Sequence, residues 1–387
     1  MQYKKITYIQ YTNPAAYPPL QHSSRIFAKA GWKVLFLGTG SRGESNSFEF
    51  PPHENIIVKR WKYYNPGIVQ KLHYIIFSFW SAFIAWWSGS SWVYASDMMA
   101  CLAAIIARNI FRLKIIYHEH DSPNRDSQKE SLFIKFLLRC RKYLAQKAEI
   151  VIFPNADRAK LYQEETGRKW AIDVVWNVPA IDEIFRFDEV IPKENKLFFH
   201  GSLNKVTLPE SILDALLKID NKIVFEFAGY STDFEINYID LYLNKAKEKG
   251  LSQRVIYKGC FSRQQLLYNC GLATIGLALF PVRSDNININ FLFGASNKVF
   301  DYLASGLILI VSNGSDWVRE LSNKKLGHCC DPNNCDSIAE AISKIVSNVE
   351  SSKVLQKNAE NILRKEWNYE KQFTCVLNKV NIDAFNY

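Results

Sequence analysis

Residues Ser296–Asn313 read SNKVFDYLASGLILIVSN, and three unlike pieces meet in them. Ser296 or Asn297 can start a helix by accepting a backbone N–H, and Gly306 is placed to end it in the left-handed conformation that glycine adopts at little cost. Leu307–Val311 is continuously apolar, which marks a buried parallel strand rather than a half-exposed one. Lys298 and Asp301 lie three apart and so share a helix face. That face is near the N-terminal end, where unpaired N–H groups and the helix dipole favour an anion. A lysine and a carboxylate beside an anion site suit a nucleotide, the cation for phosphate and the carboxylate for ribose hydroxyls. The plainer alternative is a solvated ion pair on a surface helix.

Outward from this stretch, strand and helix alternate. ITYIQYT is a strand, SSRIFAKAGW a helix closed by Gly31, and KVLFLG a second strand. The expected order continues with helix 68–87, strand 91–95, helix 97–111, strand 114–118, helix 129–147, strand 149–153, helix 155–166 and strand 172–176. WNVPAIDEIFRF then works as a linker. The alternation restarts at KLFFHGS and runs through helix 208–218, strand IVFEFAG, helix 234–250, strand VIYKG, helix SRQQLLYNC and strand TIGLALFP. A polar loop, the quoted helix and strand, helix 316–322 and a helical tail from 336 complete it. The expected class is α/β, with two tandem Rossmann-like doubly wound domains facing each other across a cleft, and a nucleotide at the carboxyl ends of the strands. GTGSRG, Gly38–Gly43, matches GxGxxG but follows the second strand and precedes no helix, so a dinucleotide's pyrophosphate would lack its seat.

At 387 residues, 48% hydrophobic and 22% charged, the chain has the composition of a globular protein with room for two domains. Its net charge of +10 is uneven. Residues 1–180 hold 24 Lys and Arg against 13 Asp and Glu, and the remainder hold 24 against 25. A basic half attracts phosphate-rich partners, and an anionic membrane surface fits better than nucleic acid, for which no zinc-finger, RNP-like or basic-zipper pattern is present. The eight cysteines form no CxxC pair, which reads as use in a reducing compartment. The polar-interrupted start lacks the apolar core of a signal peptide. A cytoplasmic address follows as the expectation, with possible peripheral attachment to the inner face of the plasma membrane.

Leu72–Ser96 contains no Lys, Arg, Asp or Glu and carries Trp80, Trp86 and Trp87. Its densest part, Ile75–Trp87, is shorter than the ~20 apolar residues of a membrane span. The segment is therefore read as helix, turn and strand, with interfacial attachment through the aromatics as the alternative to spanning. KESLFIKFLLRCRKYLAQK sets Lys135, Arg139 and Lys142 beside Leu132, Phe133, Phe136 and Leu137 at helical spacing, the pattern of an interfacial helix or of a core helix with a solvated basic face.

Together these features resemble the GT-B glycosyltransferases, and within them the retaining, family-four-like group. The quoted stretch is similar to that group's Pro-x-Lys-x-x-Glu-Tyr-x-Ala-x-Gly-x-Pro-Val signature, with Lys298, Asp301, Tyr302 and Gly306 on its lysine, carboxylate, tyrosine and glycine positions. The resemblance implies that Lys298, next to Asn297, contacts a donor's diphosphate and Asp301 its ribose. FFHGSLNK resembles the glycine loop of the donor domain, which implies phosphate contacts at Gly201, Ser202 and Lys205. FEFAGYS resembles the next glycine turn, at Gly229, and YKGCFS the stretch whose backbone meets the base, at Cys260 and Phe261. The implied layout is an acceptor-binding domain over 1–180, a nucleotide-sugar domain over 181–365 and a helix, 366–387, that crosses back to the first domain.

Departures from the pattern are specific. Ser202 and Thr207 stand where the group has arginine and lysine, so Lys205 or Arg283 would take their place at the phosphates. The signature carboxylate is one methylene shorter, and an earlier glutamate falls on Phe293. Asn286, Asn288 or Asn290 could bond the donor sugar instead. In HEHD the resemblance implies a sugar contact by His120, with Glu119 and Asp121 beside it as catalytic candidates. His118 and His120 as metal ligands would need a third ligand that nothing nearby supplies.

The resemblance implies transfer of a hexose from a nucleotide-sugar donor, UDP-glucose by family frequency, to a saccharide or lipid-linked saccharide acceptor in polysaccharide biosynthesis. It further implies retained configuration, helix N-termini, Lys298 and Arg283 stabilising the leaving group, and no cofactor or metal. No paired carboxylates point to a hydrolase. Two rivals remain: a nucleotide-sugar epimerase of the same fold, and a non-catalytic membrane-associated scaffold.

Overall fold

The computed structural model describes residues 4–123, 131–186, 194–231 and 237–385. The starts of the expected helices 129–147 and 234–250 lie outside them. The chain divides into two compact units. The first holds Met1–Asn177, Asn286–Ala295 and Tyr369–Tyr387, and the second holds Val178–Asp285 and Ser296–Asn368.

The first unit is built on a seven-stranded, wholly parallel sheet. Its strands are β1 (Lys5–Gln10), β2 (Lys33–Thr39), β3 (Ile56–Trp61), β4 (Trp92–Ser96), β5 (Lys114–His118), β6 (Ile150–Phe153) and β7 (Asp173–Val174), in the order β3-β2-β1-β4-β5-β6-β7. The order reverses between β1 and β4, and in doubly wound sheets a crevice opens at the carboxyl ends of such a pair. Helices Ile68–Trp87 and Cys101–Asn109 pack in this unit. So does the last helix, Tyr369–Phe385, whose Asn381 accepts the Trp32 indole N–H at 3.0 Å and whose Lys379 pairs with Asp173 at 2.6 Å.

The second unit is a six-stranded parallel sheet. Its strands are β8 (Glu194–Leu203), β9 (Val224–Ser231), β10 (Val255–Tyr257), β11 (Ala273–Ala278), β12 (Ile308–Ser312) and β13 (Gly327–Cys330), ordered β10-β9-β8-β11-β12-β13. Here the reversal lies between β8 and β11. The quoted stretch forms helix Asn297–Ala304, then Gly306 at φ 71°, then β12, every residue of which is buried.

Two strands were not expected. β3 is an edge strand whose positions are half-buried or exposed, none of them buried, and β13 is the four-residue GHCC, too short and too poor in branched residues to announce itself. Helix 316–322 is a short α-turn running into a π-helical turn, Val318–Ser322. Ser296 precedes the quoted helix but its side chain makes no capping bond, so the first-turn N–H groups are left without a side-chain acceptor.

Gly201 and Gly229 are paired across β8 and β9 at φ 118° and 135°. A Cβ on Gly229 would lie 1.8 Å from the Gly201 carbonyl oxygen, a clash with backbone that no rotamer relieves. Gly229→Ala is therefore expected to lose at least about 3 kcal/mol, strain and overpacking together. Gly250→Ala, at φ 73° with nothing within 4 Å, should lose only about 1 to 2 kcal/mol. Chemical denaturation of both variants checks the difference.

Candidate functional site

At the second unit's reversal, β8 carries Phe199, His200 and Gly201 near its carboxyl end, and β11 leads towards Phe280. The first turn of helix Asn297–Ala304 brings Lys298 to this point. Its ammonium nitrogen lies 3.6 Å from the Phe199 ring centre and 5.0 Å from that of Phe280. The Lys298 stem runs against Gly201, where a Cβ would meet Cε at 3.3 Å. Glycine is thus required on two counts, its φ and the lysine's path. Lys298 is 7% exposed and, among the described residues, has no hydrogen bond and no carboxylate partner. Burial pushes its ammonium well below the ordinary lysine value. The solvated ion pair is therefore not what forms.

Asp301, 2% exposed, turns instead to Arg263. The guanidinium reaches Asp301 Oδ1 at 2.7 Å and clasps Glu183 with two bonds, Nε to Oε1 at 3.0 Å and Nη2 to Oε2 at 2.9 Å. The guanidinium is itself buried, but the two carboxylates outweigh that burial and raise its pKa. Asp301 Oδ2 faces His200 Nε2 at 3.5 Å. Burial, then the Lys298 and Arg263 charges, holds that imidazole well below the usual histidine value, hence neutral. Tyr302 fixes the strand end by accepting the His200 backbone N–H at 2.9 Å.

The remaining expected donor residues are distributed around this core. Ser202 follows Gly201 on β8 and its carbonyl accepts the Thr207 hydroxyl at 2.6 Å. Thr207 thus closes the turn rather than facing a ligand. Lys205 and Arg283 are exposed, and Asn297 is half-buried beside Lys298. Cys260 and Phe261 lie half-buried between β10 and the helix Arg263–Leu272, which Ser262 and Gln265 cap reciprocally. Arg263 and Glu183 were missed by sequence reasoning. An arginine one residue after a capping serine looks like any helix-surface residue, and the only signal was its place next to a half-buried loop.

The first unit's reversal holds the HEHD segment. Asp97, at φ 63° just after β4, accepts the His120 backbone N–H at 2.7 Å and receives the Gln10 amide at 3.4 Å across the reversal. Burial, and then the Asp121 and Glu119 charges, push its carboxyl up to about 7. His118 Nδ1 meets the Tyr94 hydroxyl at 2.5 Å, and the His118 and His120 ring centres lie 3.9 Å apart with the planes tilted by 41°. Both His120 ring nitrogens are buried with no partner among the described residues. Burial, and then the Arg158 charge, take His120 down to about 3, so it is a neutral imidazole. Among the described residues no group of three or more His, Cys, Asp or Glu side chains is placed to hold a metal ion.

Glu119, an expected catalytic candidate, is used otherwise. It is fully buried and clasped by Arg141 at 2.5 and 2.7 Å, with the Tyr117 and Ser122 hydroxyls donating at 2.6 and 2.9 Å. Its carboxylate oxygens face the protein, whereas Asp121, the other carboxylate of that segment, is exposed and lies 3.9 Å from Arg158 Nη1.

The asparagines also differ from expectation. Residues 286–295 pack with the first unit, where Asn288 exchanges two amide hydrogen bonds with the Ser122 backbone at 2.9 and 2.8 Å. Asn286 caps the turn Ile287–Asn290. Buried Arg158 ties this segment to the HEHD loop, donating to the carbonyls of His120, Asn288 and Phe291 at 2.8 to 3.0 Å. The amide of Asn288 is thus spent on backbone.

Residues 181–362 match the family model for glycosyl transferases group 1. No curated protein matches the chain by sequence. Among solved structures, Alr3699/HepE of Anabaena in complex with UDP and glucose is similar with a TM-score of 0.73 at 14% identity, over 98% of this chain and 99% of that one. A HepE complex with UDP-glucose gives 0.73 at 14%, over 97% and 99%. Sucrose-phosphate synthase of Thermosynechococcus elongatus gives 0.71 at 13%, over 99% of both chains. Residues 181–362 thus match the glycosyl transferases group 1 model, and the two parallel-sheet units have the GT-B fold.

Proposed function

We propose that the chain transfers a hexose from a nucleotide-sugar, UDP-glucose as the first candidate, to a saccharide or lipid-linked saccharide acceptor in polysaccharide biosynthesis, with retained configuration and no metal ion. The single observation that carries the donor assignment is Lys298, a buried cation without a counter-ion at a sheet reversal, beside a helix start without a side-chain cap. A diphosphate supplies what that arrangement lacks: negative charge for the ammonium and acceptors for the N–H groups. The UDP-glucose complex of HepE supports the choice of base and sugar.

In this reading the bond from the sugar's anomeric carbon to the leaving diphosphate breaks while a bond to the acceptor oxygen forms. The acceptor's proton passes to a leaving-phosphate oxygen. Charge gathers on that phosphate, so Lys298 stabilises the transition state more than the ground state. Asp301, its rotamer fixed by Arg263 through Oδ1, is the carboxylate assigned to the ribose. An epimerase would need a mobile proton base in HEHD, and the Arg141 clasp takes Glu119 out of that role.

Lys298→Ala is expected to weaken UDP-glucose binding by about 1.5 to 3 kcal/mol, the worth of a charged hydrogen bond. Titration calorimetry measures it, and unchanged affinity would remove the donor assignment. A second effect follows from the lysine's depressed pKa. Bound diphosphate raises that pKa, so binding takes up a proton between the empty-site and occupied-site values, and affinity falls as pH rises through that window. The binding enthalpy should then depend on the buffer's ionisation enthalpy for the native chain and not for Lys298→Met. Glu119→Gln is expected to destabilise the fold by about 3 to 5 kcal/mol, as when a buried pair loses one charge. Turnover per folded molecule should hold, and a large fall in it would return Glu119 to catalysis.

A further inference from the structure

We propose that the first unit docks on an anionic lipid surface through one face, formed by the helices Ile68–Trp87 and Leu132–Ala145. In the first helix, Tyr74, Phe77, Ser78, Ser81 and Ala85 are buried on one side. On the opposite side Val69, Leu72, Ile76, Phe79, Phe83 and Trp87 recur at spacings of three and four residues, and each is between 43% and 73% exposed. The helix is long and apolar enough to cross a membrane, but only a third of its most apolar window is buried in the protein. A core helix would be covered on both sides, and a span would not have one side packed into a sheet domain. A helix lying along a surface has this two-sided character.

The second helix adds a further exposed stripe. The Lys71 ammonium lies 5.7 Å from the Phe133 ring centre and Tyr74 meets that ring edge-on at 5.4 Å, which brings the start of the second helix up to the first. Leu132 is 86% and Phe136 40% exposed. Lys135, Arg139 and Lys142, also exposed, run along the adjoining stripe. Neither helix contains an Asp or Glu, and neither does Cys101–Asn109, which packs against both. An apolar strip bordered by cations and devoid of acids matches a bilayer boundary, where side chains enter the acyl region and ammonium groups reach anionic headgroups. A second copy of this chain would bring its own cations against these, which is why lipid is the assigned occupant.

The test uses the full chain, purified without detergent, in flotation with phosphatidylcholine vesicles with and without about 30% phosphatidylglycerol. The expected result is binding to the anionic vesicles at least about tenfold tighter than to the neutral ones, weakened by salt. Brominated acyl chains should quench tryptophan fluorescence. Phe79→Ser with Phe83→Ser, both exposed in the native fold, should cut partitioning at least about tenfold. Lys135→Glu with Arg139→Glu should remove the preference for anionic lipid. Circular dichroism and UDP-glucose titration in the second unit, the latter independent of this face, report whether the variants remain folded. Absence of binding to either vesicle overturns the proposal, as does binding that both double variants leave unchanged. A dimer by light scattering that Phe79→Ser with Phe83→Ser converts to monomer would reassign the face to a copy-to-copy contact.

Discussion

An ammonium group buried away from every carboxylate is costly, because the energy of its hydration shell is lost and no counter-ion replaces it. Lys298 is held in that condition by two aromatic faces and by a glycine that makes room for its stem. The ring faces return part of the lost energy through their quadrupoles. The rest is a standing deficit that an anionic ligand can remove. Such a site lacks the negative charge that the proposed diphosphate carries. The neighbouring carboxylates do not quench it, since Asp301 and Glu183 are both held by Arg263.

The same sheet geometry gives the first unit a different chemistry. Its reversal gathers two neutral histidines, a half-buried aspartate and the backbone of HEHD, in place of a cation. Two buried arginines hold this loop from behind, Arg141 through the Glu119 carboxylate and Arg158 through main-chain oxygens. Their bonds fix the loop, and the nearby Arg158 charge helps keep His120 neutral. The second unit's reversal thus offers a buried cation and the first unit's offers neutral and acceptor groups.

At 13 to 14% identity to solved glycosyltransferases the fold persists because it rests on pattern rather than on particular residues. Continuous apolar runs such as LILIV and IVIF can only be strands covered on both faces, and helices closed by glycine must alternate with them. The departures in the glycine loop fit that tolerance. Ser202 and Thr207 are absorbed into a turn by one hydroxyl-to-carbonyl bond, and the loop keeps the two glycines on which its backbone depends.

Much of this was legible in the chain itself. Periodicity marked nearly every buried strand, and the i, i+3 spacing of Lys298 and Asp301 placed both at one helix start, because such features are set by local backbone geometry. β3 and β13 were not legible, since an edge strand and a four-residue strand have too little burial to impose a pattern. Nor were the partners. Spacing put Lys298 and Asp301 on one helix face, but Arg263, thirty-five positions away from the lysine, takes the aspartate and leaves the lysine without a carboxylate among the described residues. Glu119 looked like a catalytic acid in HEHD until Arg141 closed on it. The sequence determined which elements form and which residue types reach each strand end. Only the tertiary structure decided which charges are paired and which are left wanting, because pairing depends on distances between segments remote in the chain.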